Sequence, residues 1–139
     1  MNKNQSIRVF LLLAFLVLSN ALFAQKQAKI YHFTLNQEID RAAYRLVKKA
    51  VREAEAQKAD YIVMTLNTYG GMLDAADSIR TILLQAKPTT VVFINNNAAS
   101  AGALISIACD SIYMSDGANI GAATVVDQNG TKQIDKYQS

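Results

Sequence analysis

Two apolar runs, Tyr61-Ile62-Val63-Met64-Thr65-Leu66 and Thr89 to Ile94 with Val91-Val92-Phe93-Ile94 at its centre, constrain this chain more than any other feature. The first is continuous and bounded by Asp60 and Asn67, the pattern of a strand buried on both faces, and such strands belong to parallel sheets. Parallel neighbours need a crossover between them. Gly70-Gly71 breaks the chain after the first run, Leu73 to Leu84 has helical spacing, and Pro88 ends that helix before the second run.

The same alternation extends in both directions. Lys29-Ile30-Tyr31-His32-Phe33 predicts a first strand ending near Thr34, after which Thr34 or Asn36 would cap a helix. From Glu38 to Lys58 the apolar positions Ile39, Ala42, Ala43, Leu46, Val47, Ala50, Val51 and Ala54 recur at three- and four-residue steps, which predicts one long amphipathic helix. Its lysines and arginines are interspersed with acids and read as a solvated face. After the second run, the small residues Ala101 to Ala108 predict a helix, Ser111-Ile112-Tyr113-Met114 a short strand, and Gly117 and Gly121 turns around Ala118-Asn119-Ile120. The result is an α/β fold of repeated strand-helix units around a mostly parallel sheet. The last polar, helical-looking segment reaches Ser139 with no Gly or Pro stop, so the domain is expected to be truncated at its C-terminus.

The start of the chain follows a different pattern. Lys3 and Arg8 precede the apolar stretch Val9 to Leu18, and Ser19-Asn20-Ala21-Leu22-Phe23-Ala24 supplies small residues. Residues 1–24 are therefore expected to be a secretory signal peptide cut after Ala24; the alternative is an uncleaved anchor, although the run is shorter than the ~20 residues that span a bilayer. Residues 25–139 then form one domain with its own core. Without Lys3 and Arg8 the net charge of +3 falls to +1, which gives no electrostatic case for nucleic acid.

Elimination narrows the chemistry. Cys109 is the only cysteine and sits in an apolar stretch, so it forms no intrachain disulfide and reads as a small core residue. One cysteine and one histidine do not make a zinc set, and neither a metal nor a cofactor is expected. His32, the only histidine, lies in the first strand on the face opposite Tyr31 and Phe33, and is expected to be exposed or hydrogen-bonded there. Ser100 is better placed. Asn97-Ala98-Ala99-Ser100-Ala101-Gly102-Ala103 brings a serine from a strand into a sharp turn among small neighbours, with the free N–H groups of a helix following.

If Ser100 is a nucleophile, a lysine is the base left to activate it. An ordinary lysine titrates near ~10.4, and only burial in a dry cleft would keep its amine neutral. Lys132 and Lys136, at i and i+4 of the last segment, are both candidates, although each could be a solvated surface residue. Backbone N–H groups of Gly71 and Ala101, at consecutive strand-to-helix turns, would converge on one carbonyl oxygen. Gly70 and Gly71 would let a substrate backbone lie close, with Met72 beside them. By itself a Gly-Gly pair is an ordinary turn.

Four blocks in order carry a resemblance: Asn67-Thr68-Tyr69-Gly70-Gly71-Met72-Leu73, Ala98-Ala99-Ser100-Ala101-Gly102, Ala108-Cys109-Asp110 with Met114, and Gly117-Ala118-Asn119-Ile120-Gly121-Ala122-Ala123. Together, over about residues 29 to 139, they resemble the NfeD-type membrane-bound serine proteases of the ClpP class, relatives of signal peptide peptidase A. The resemblance implies a ClpP/crotonase-like fold and a Ser-Lys dyad endopeptidase. Ser100 would be the nucleophile, Gly71 and Ala101 the oxyanion hole, and Gly70, Gly71 and Met72 the substrate-binding backbone. Asp135-Lys136-Tyr137-Gln138 is similar to the start of the family's lysine-bearing helix, so Lys136 is the expected base and Lys132 the alternative. Val125 stands where ClpP carries its histidine, which favours the lysine branch. Tyr69 departs from the proline common before the Gly pair.

The resemblance also implies a peptide substrate with apolar stretches, a stomatin-like membrane protein as partner, and self-association into a homo-oligomer. It places the domain on the periplasmic face of the inner membrane, anchored by helices absent from this chain. Two other readings stay open on sequence alone. One is an inactive scaffold for the stomatin-like partner, with Ser100 packing its turn. The other is a crotonase-like acyl-CoA enzyme, which export by a signal peptide disfavours.

Overall fold

The computed structural model describes residue 5 and residues 27–122; the rest of the expected signal peptide and both candidate lysines, Lys132 and Lys136, lie outside the described residues. The elements are β1 (Ile30–Asn36), α1 (Arg41–Ala56), β2 (Tyr61–Thr68), α2 (Leu73–Gln85), β3 (Thr89–Ala99), α3 (Ala101–Ser106), β4 (Ser111–Met114) and β5 (Asn119–Gly121). The strands form one parallel five-stranded sheet in the order β1-β2-β3-β4, with β5 pairing β3 beyond the end of β4. Strand ends are level: Leu35 pairs Leu66, and Leu66 pairs Ile94, so β1, β2 and β3 bring their C-terminal ends to one edge.

One face of the sheet holds the core. Leu35, Met64, Leu66, Val92 and Ile94 share it with Ala43 and Val47 of α1, Ala76 and Ile79 of α2, and Ile105 of α3. Full burial of each large aliphatic side chain is worth about 1.5–3 kcal/mol, enough to hold all three helices on that face. The expectation of strands buried on both faces is corrected. Along β2, Ile62, Met64, Leu66 and Thr68 are buried, whereas Val63, Thr65 and Asn67 between them are half-buried. The reason is that all three helices contribute their buried residues to the same core, on one side of the sheet.

Boundaries moved where backbone pairing overrode side-chain periodicity. The cap of α1 is Asp40, whose Oδ1 accepts the Ala43 N–H at 2.8 Å, and not Thr34 or Asn36, which lie within β1. Ile39, read as the first apolar residue of the helix, instead bridges to Gly71 as an extended residue. β3 runs past Ile94 through Asn95-Asn96-Asn97 to Ala99, because β5 supplies partners for Asn97, Ala98 and Ala99. At the other end of α3, Asp110 Oδ2 accepts from Thr90 N at 2.7 Å and from Thr90 Oγ1 at 2.9 Å, latching the entry of β4 to β3. Among the described residues no helix is long and apolar enough to cross a membrane.

Candidate active site

Ser100 occupies the single residue between β3 and α3, with φ 51° and ψ −113°. A non-glycine residue there costs about 1–3 kcal/mol and persists only when its surroundings hold it. They do so from both sides. The Ser100 N–H donates to the Gly121 carbonyl of β5 at 2.7 Å, and the Ser100 carbonyl accepts from the N–H groups of Ala103 at 3.0 Å and Leu104 at 3.3 Å. Although Ser100 stands at the helix cap position, its hydroxyl makes no capping bond, and among the described residues Oγ has no hydrogen-bond partner at this half-buried position.

The Gly pair lies directly against this serine. A Cβ placed on Gly70 would stand 2.9 Å from Ser100 Cβ and 3.4 Å from Ser100 Oγ, and Gly70 has φ +117°. On Gly71 a Cβ would come 2.2 Å from the Ile39 carbonyl oxygen. Both positions therefore require glycine, one for the serine and one for the chain entering α1. Met72 starts α2 with its N–H given to the Ile39 carbonyl at 2.7 Å and its side chain 44% exposed.

Three residues that sequence reasoning missed build this corner. Ile39 donates its N–H to the Gly70 carbonyl at 2.8 Å and so clamps the Gly turn from the other side. Thr68, 3% exposed, accepts the Gly70 N–H on Oγ1 at 3.1 Å, and its methyl group faces Gly102, where a Cβ would approach to 2.6 Å. Asn67 lies where the register of β2 and β3 breaks: Leu66 pairs Ile94 but Thr68 pairs Ala98, so Asn95, Asn96 and Asn97 oppose one residue. Its Oδ1 accepts the Asn97 N–H at 3.1 Å and its Nδ2 donates to Asn36 Oδ1 at 3.0 Å. The run of three asparagines was the available signal for a bulge.

Of the expected oxyanion donors, Ala101 opens α3 and Gly71 follows the serine-facing glycine. Among the described residues neither N–H donates to an acceptor. At Ala101 this is the ordinary orphan of a first helical turn, and it is buried, with the residue 5% exposed. Among the described residues the arrangement thus combines an uncommitted hydroxyl with unspent backbone donors.

The described histidine and three of the described lysines lie elsewhere. His32 sits at the level of Val63 and Val91, well before the strand ends, with Nε2 2.9 Å from Thr65 Oγ1 on the sheet surface. Lys29 precedes β1, Lys58 follows α1 and Lys87 precedes β3, all at the opposite edge of the sheet. Burial pushes the Cys109 thiol up to about 12, away from the thiolate that a nucleophile needs, and the residue is half-buried against the core. Among the described residues no group of three His, Cys, Asp or Glu side chains could hold a metal ion.

Comparison with known proteins bears on the family and the fold. Residues 29–139 match the family described as NfeD1b, N-terminal domain. Membrane protein NfeD1b of Bacillus subtilis is 30% identical over 116 residues, covering 84% of this chain and 26% of that protein. Membrane-bound protease PH1510 of Pyrococcus horikoshii is 29% identical over 108 residues, covering 73% of this chain and 24% of that protein. Among solved structures, the 1510-N membrane-bound stomatin-specific protease in complex with a substrate peptide superposes with a TM-score of 0.71 at 27% identity, over 77% of this chain and 52% of that one. ClpP1 from Listeria monocytogenes gives a TM-score of 0.55 at 29% identity, over 57% of this chain and 46% of that one. The chain spans about a quarter of the length of the curated relatives it matches. Its fold is that of the ClpP-like peptidases, and through its N-terminal domain the chain belongs to the NfeD1b family.

Proposed function

We propose that residues 25–139 are the ClpP-like peptidase domain of an exported, membrane-associated serine endopeptidase, and that residues 1–24 are its signal peptide. The observation that carries the reading is the strained Ser100 elbow with Gly70 packed against it. Such strain gathers where a side chain must be presented, and the hydroxyl so presented makes no structural bond among the described residues.

In the proposed reaction the Ser100 hydroxyl gives its proton to a neutral lysine amine as Oγ attacks a peptide carbonyl carbon. Negative charge moving to the carbonyl oxygen is met by the N–H groups of Gly71 and Ala101, each such donor being worth about 2.7–4 kcal/mol in a water-excluded site. The ammonium returns the proton to the leaving amine, and water, deprotonated by the same amine, hydrolyses the ester. Lys136 is the proposed base and Lys132 its alternative. The substrate strand would run along Gly70, Gly71 and Met72.

Tyr69, Met72 and Leu73 are 79%, 44% and 55% exposed around the Gly pair, an apolar fringe that supports cleavage in apolar segments. PH1510 is a membrane-bound protease, and 1510-N is stomatin-specific and was captured with a substrate peptide. That likeness supports a membrane-associated protein as substrate and a stomatin-like protein as partner; the periplasmic face, which rests on the signal peptide, and a homo-oligomeric state, which rests on the family resemblance, are further parts of the proposal.

Peptide cleavage by the full-length protein tests the reading, with Ser100→Ala, Lys136→Ala and Lys132→Ala compared to wild type. Cleavage is expected to vanish with Ser100→Ala and Lys136→Ala and to survive Lys132→Ala. Equal cleavage by wild type and Ser100→Ala overturns the reading. Loss with Lys132→Ala alone moves the base to Lys132.

A further inference from the structure

We infer that the outer face of α1 is a docking surface for an anionic phospholipid bilayer. From Arg41 to Arg52 the helix carries five basic residues and no acid, and Glu53 and Glu55 follow in its last turn. At ~100° per residue, Arg41, Arg45, Lys48, Lys49 and Arg52 fall within an arc of about 100° that runs about 16 Å along the helix, opposite its buried stripe. All five are exposed. The flanking acids have partners of their own. Asp40 caps the helix, Glu53 accepts the Tyr31 hydroxyl at 2.5 Å, and Glu55 accepts the Lys87 N–H at 3.3 Å.

Within the stripe, Lys49 reaches Glu53 at 3.8 Å and Lys48 lies 5.5 Å from the Tyr44 ring centroid. Among the described residues Arg41, Arg45 and Arg52 have no acidic partner. Arg45, Lys48, Lys49 and Arg52, together with Glu53 and Ala56, surround a concavity of about 380 Å³. Five basic side chains against the one acid that reaches them, Glu53, leave the outer face cationic, which is the charge distribution a bilayer of anionic headgroups complements.

The shape favours a planar field of phosphates over a single ligand. Long, flexible basic side chains on a convex helix adapt to many mobile headgroups, whereas a stacked single strand needs exposed aromatic rings, and Tyr44 is half-buried. The choice of a bilayer rests on the membrane-face part of the proposed function and not on its peptidase part. Peptide cleavage and lipid binding can therefore fail separately.

The test is co-sedimentation of the full chain with phosphatidylglycerol-containing vesicles and with neutral phosphatidylcholine vesicles. The N-terminal apolar run contributes to both, so the informative quantity is the increment given by phosphatidylglycerol. That increment is expected to fall about tenfold or more in Arg45→Glu/Lys48→Glu/Arg52→Glu and to shrink as salt rises. It should stay at the wild-type level in Arg80→Glu/Lys87→Glu. If the triple reversal unfolds the protein, Arg45→Gln/Lys48→Gln/Arg52→Gln gives the same comparison. An unchanged increment in the folded stripe variant overturns the proposal. So does stripe-dependent binding to duplex DNA tighter than to vesicles, or abolition of vesicle binding by inorganic phosphate at constant ionic strength.

Discussion

At Gly70 both the backbone and a neighbour act against any side chain. With φ +117° and Ser100 Cβ 2.9 Å from where a Cβ would stand, Gly70→Ala is expected to lower stability by about 2–4 kcal/mol and to abolish peptide cleavage. Gly117 separates the two causes, since it has φ +76° but nothing within 4 Å, so Gly117→Ala should cost only about 1 kcal/mol and leave cleavage intact. Denaturant titration of both variants checks the difference, and equal losses would show that the contact with Ser100 is immaterial. Cys109 gives a second residue-scale expectation. A thiol pushed up to about 12 by burial stays protonated at neutral pH, so a disulfide reagent should label it slowly in the native protein and rapidly after unfolding. Ser100 and the Gly pair were legible in sequence because small residues after an apolar run have few other uses. Ile39 and Thr68 were not, because what they contribute is backbone and hydroxyl pairing with Gly70, which leaves no compositional mark.

At the scale of elements, sequence period located nearly every strand and helix, and pairing decided where each one stops. Helical spacing extended α1 back to Glu38, yet Ile39 is held extended by its bridge to Gly71 and the helix waits for Asp40. A polar asparagine run looked like the end of β3, yet the strand continues because Asn67 and β5 take up its backbone groups. Asn67→Ala is therefore expected to cost about 1–3 kcal/mol, the penalty of an unpartnered Asn97 N–H, whereas Asn67→Asp keeps the acceptor and should cost less. Faster hydrogen exchange at Asn97 in the alanine variant is the local readout. The latch between β3 and β4 carries a pH dependence. Backbone and then side-chain hydrogen bonds from Thr90 hold Asp110 below its ordinary 3.8. A depressed carboxylate stabilises the fold at pH values above its unfolded pKa, and that contribution disappears as pH falls through the folded value. Wild type should thus exceed Asp110→Asn in stability at neutral pH, with the gap closing below about pH 4; because Asp110 is exposed, the gap is modest. Thermal melts of the two proteins across that range decide it, and a gap that persists at low pH would exclude the carboxylate as its source.

Across the whole molecule, stability and chemistry sit at different depths of one sheet. β2 is paired on both sides, by β1 and β3, and its Ile62, Met64 and Leu66 are 1% exposed or less. The opposite flank is thin. β4 has four residues, with Tyr113 61% exposed and Met114 41% exposed, and β5 has only three. Yet it is β5, through the Gly121 carbonyl, that holds the N–H of the strained serine. About 1–3 kcal/mol of backbone strain at Ser100 favours opening at β5, which among the described residues is the shortest strand of the sheet. Native-state hydrogen exchange should therefore show two levels: amides of β2 exchanging only with global unfolding, and the Ser100 amide exchanging through a local opening of β5 at a distinctly lower free energy. Denaturant dependence separates them, since local opening exposes little surface and has a shallow slope. The peptidase reading gives that opening a consequence. Once the N–H of Ser100 leaves Gly121, the serine is free to leave φ 51°, and its hydroxyl loses the placement that Gly70 and Ala101 share. A substrate strand bound along Gly70 to Met72 would oppose the loss, so a bound substrate-like peptide should slow exchange at Ser100 while leaving the β2 amides unchanged under conditions of local opening. Protection at Ser100 equal to that at Met64 without peptide would show instead that β5 unfolds only with the core, and that the elbow is as rigid as the sheet beneath it.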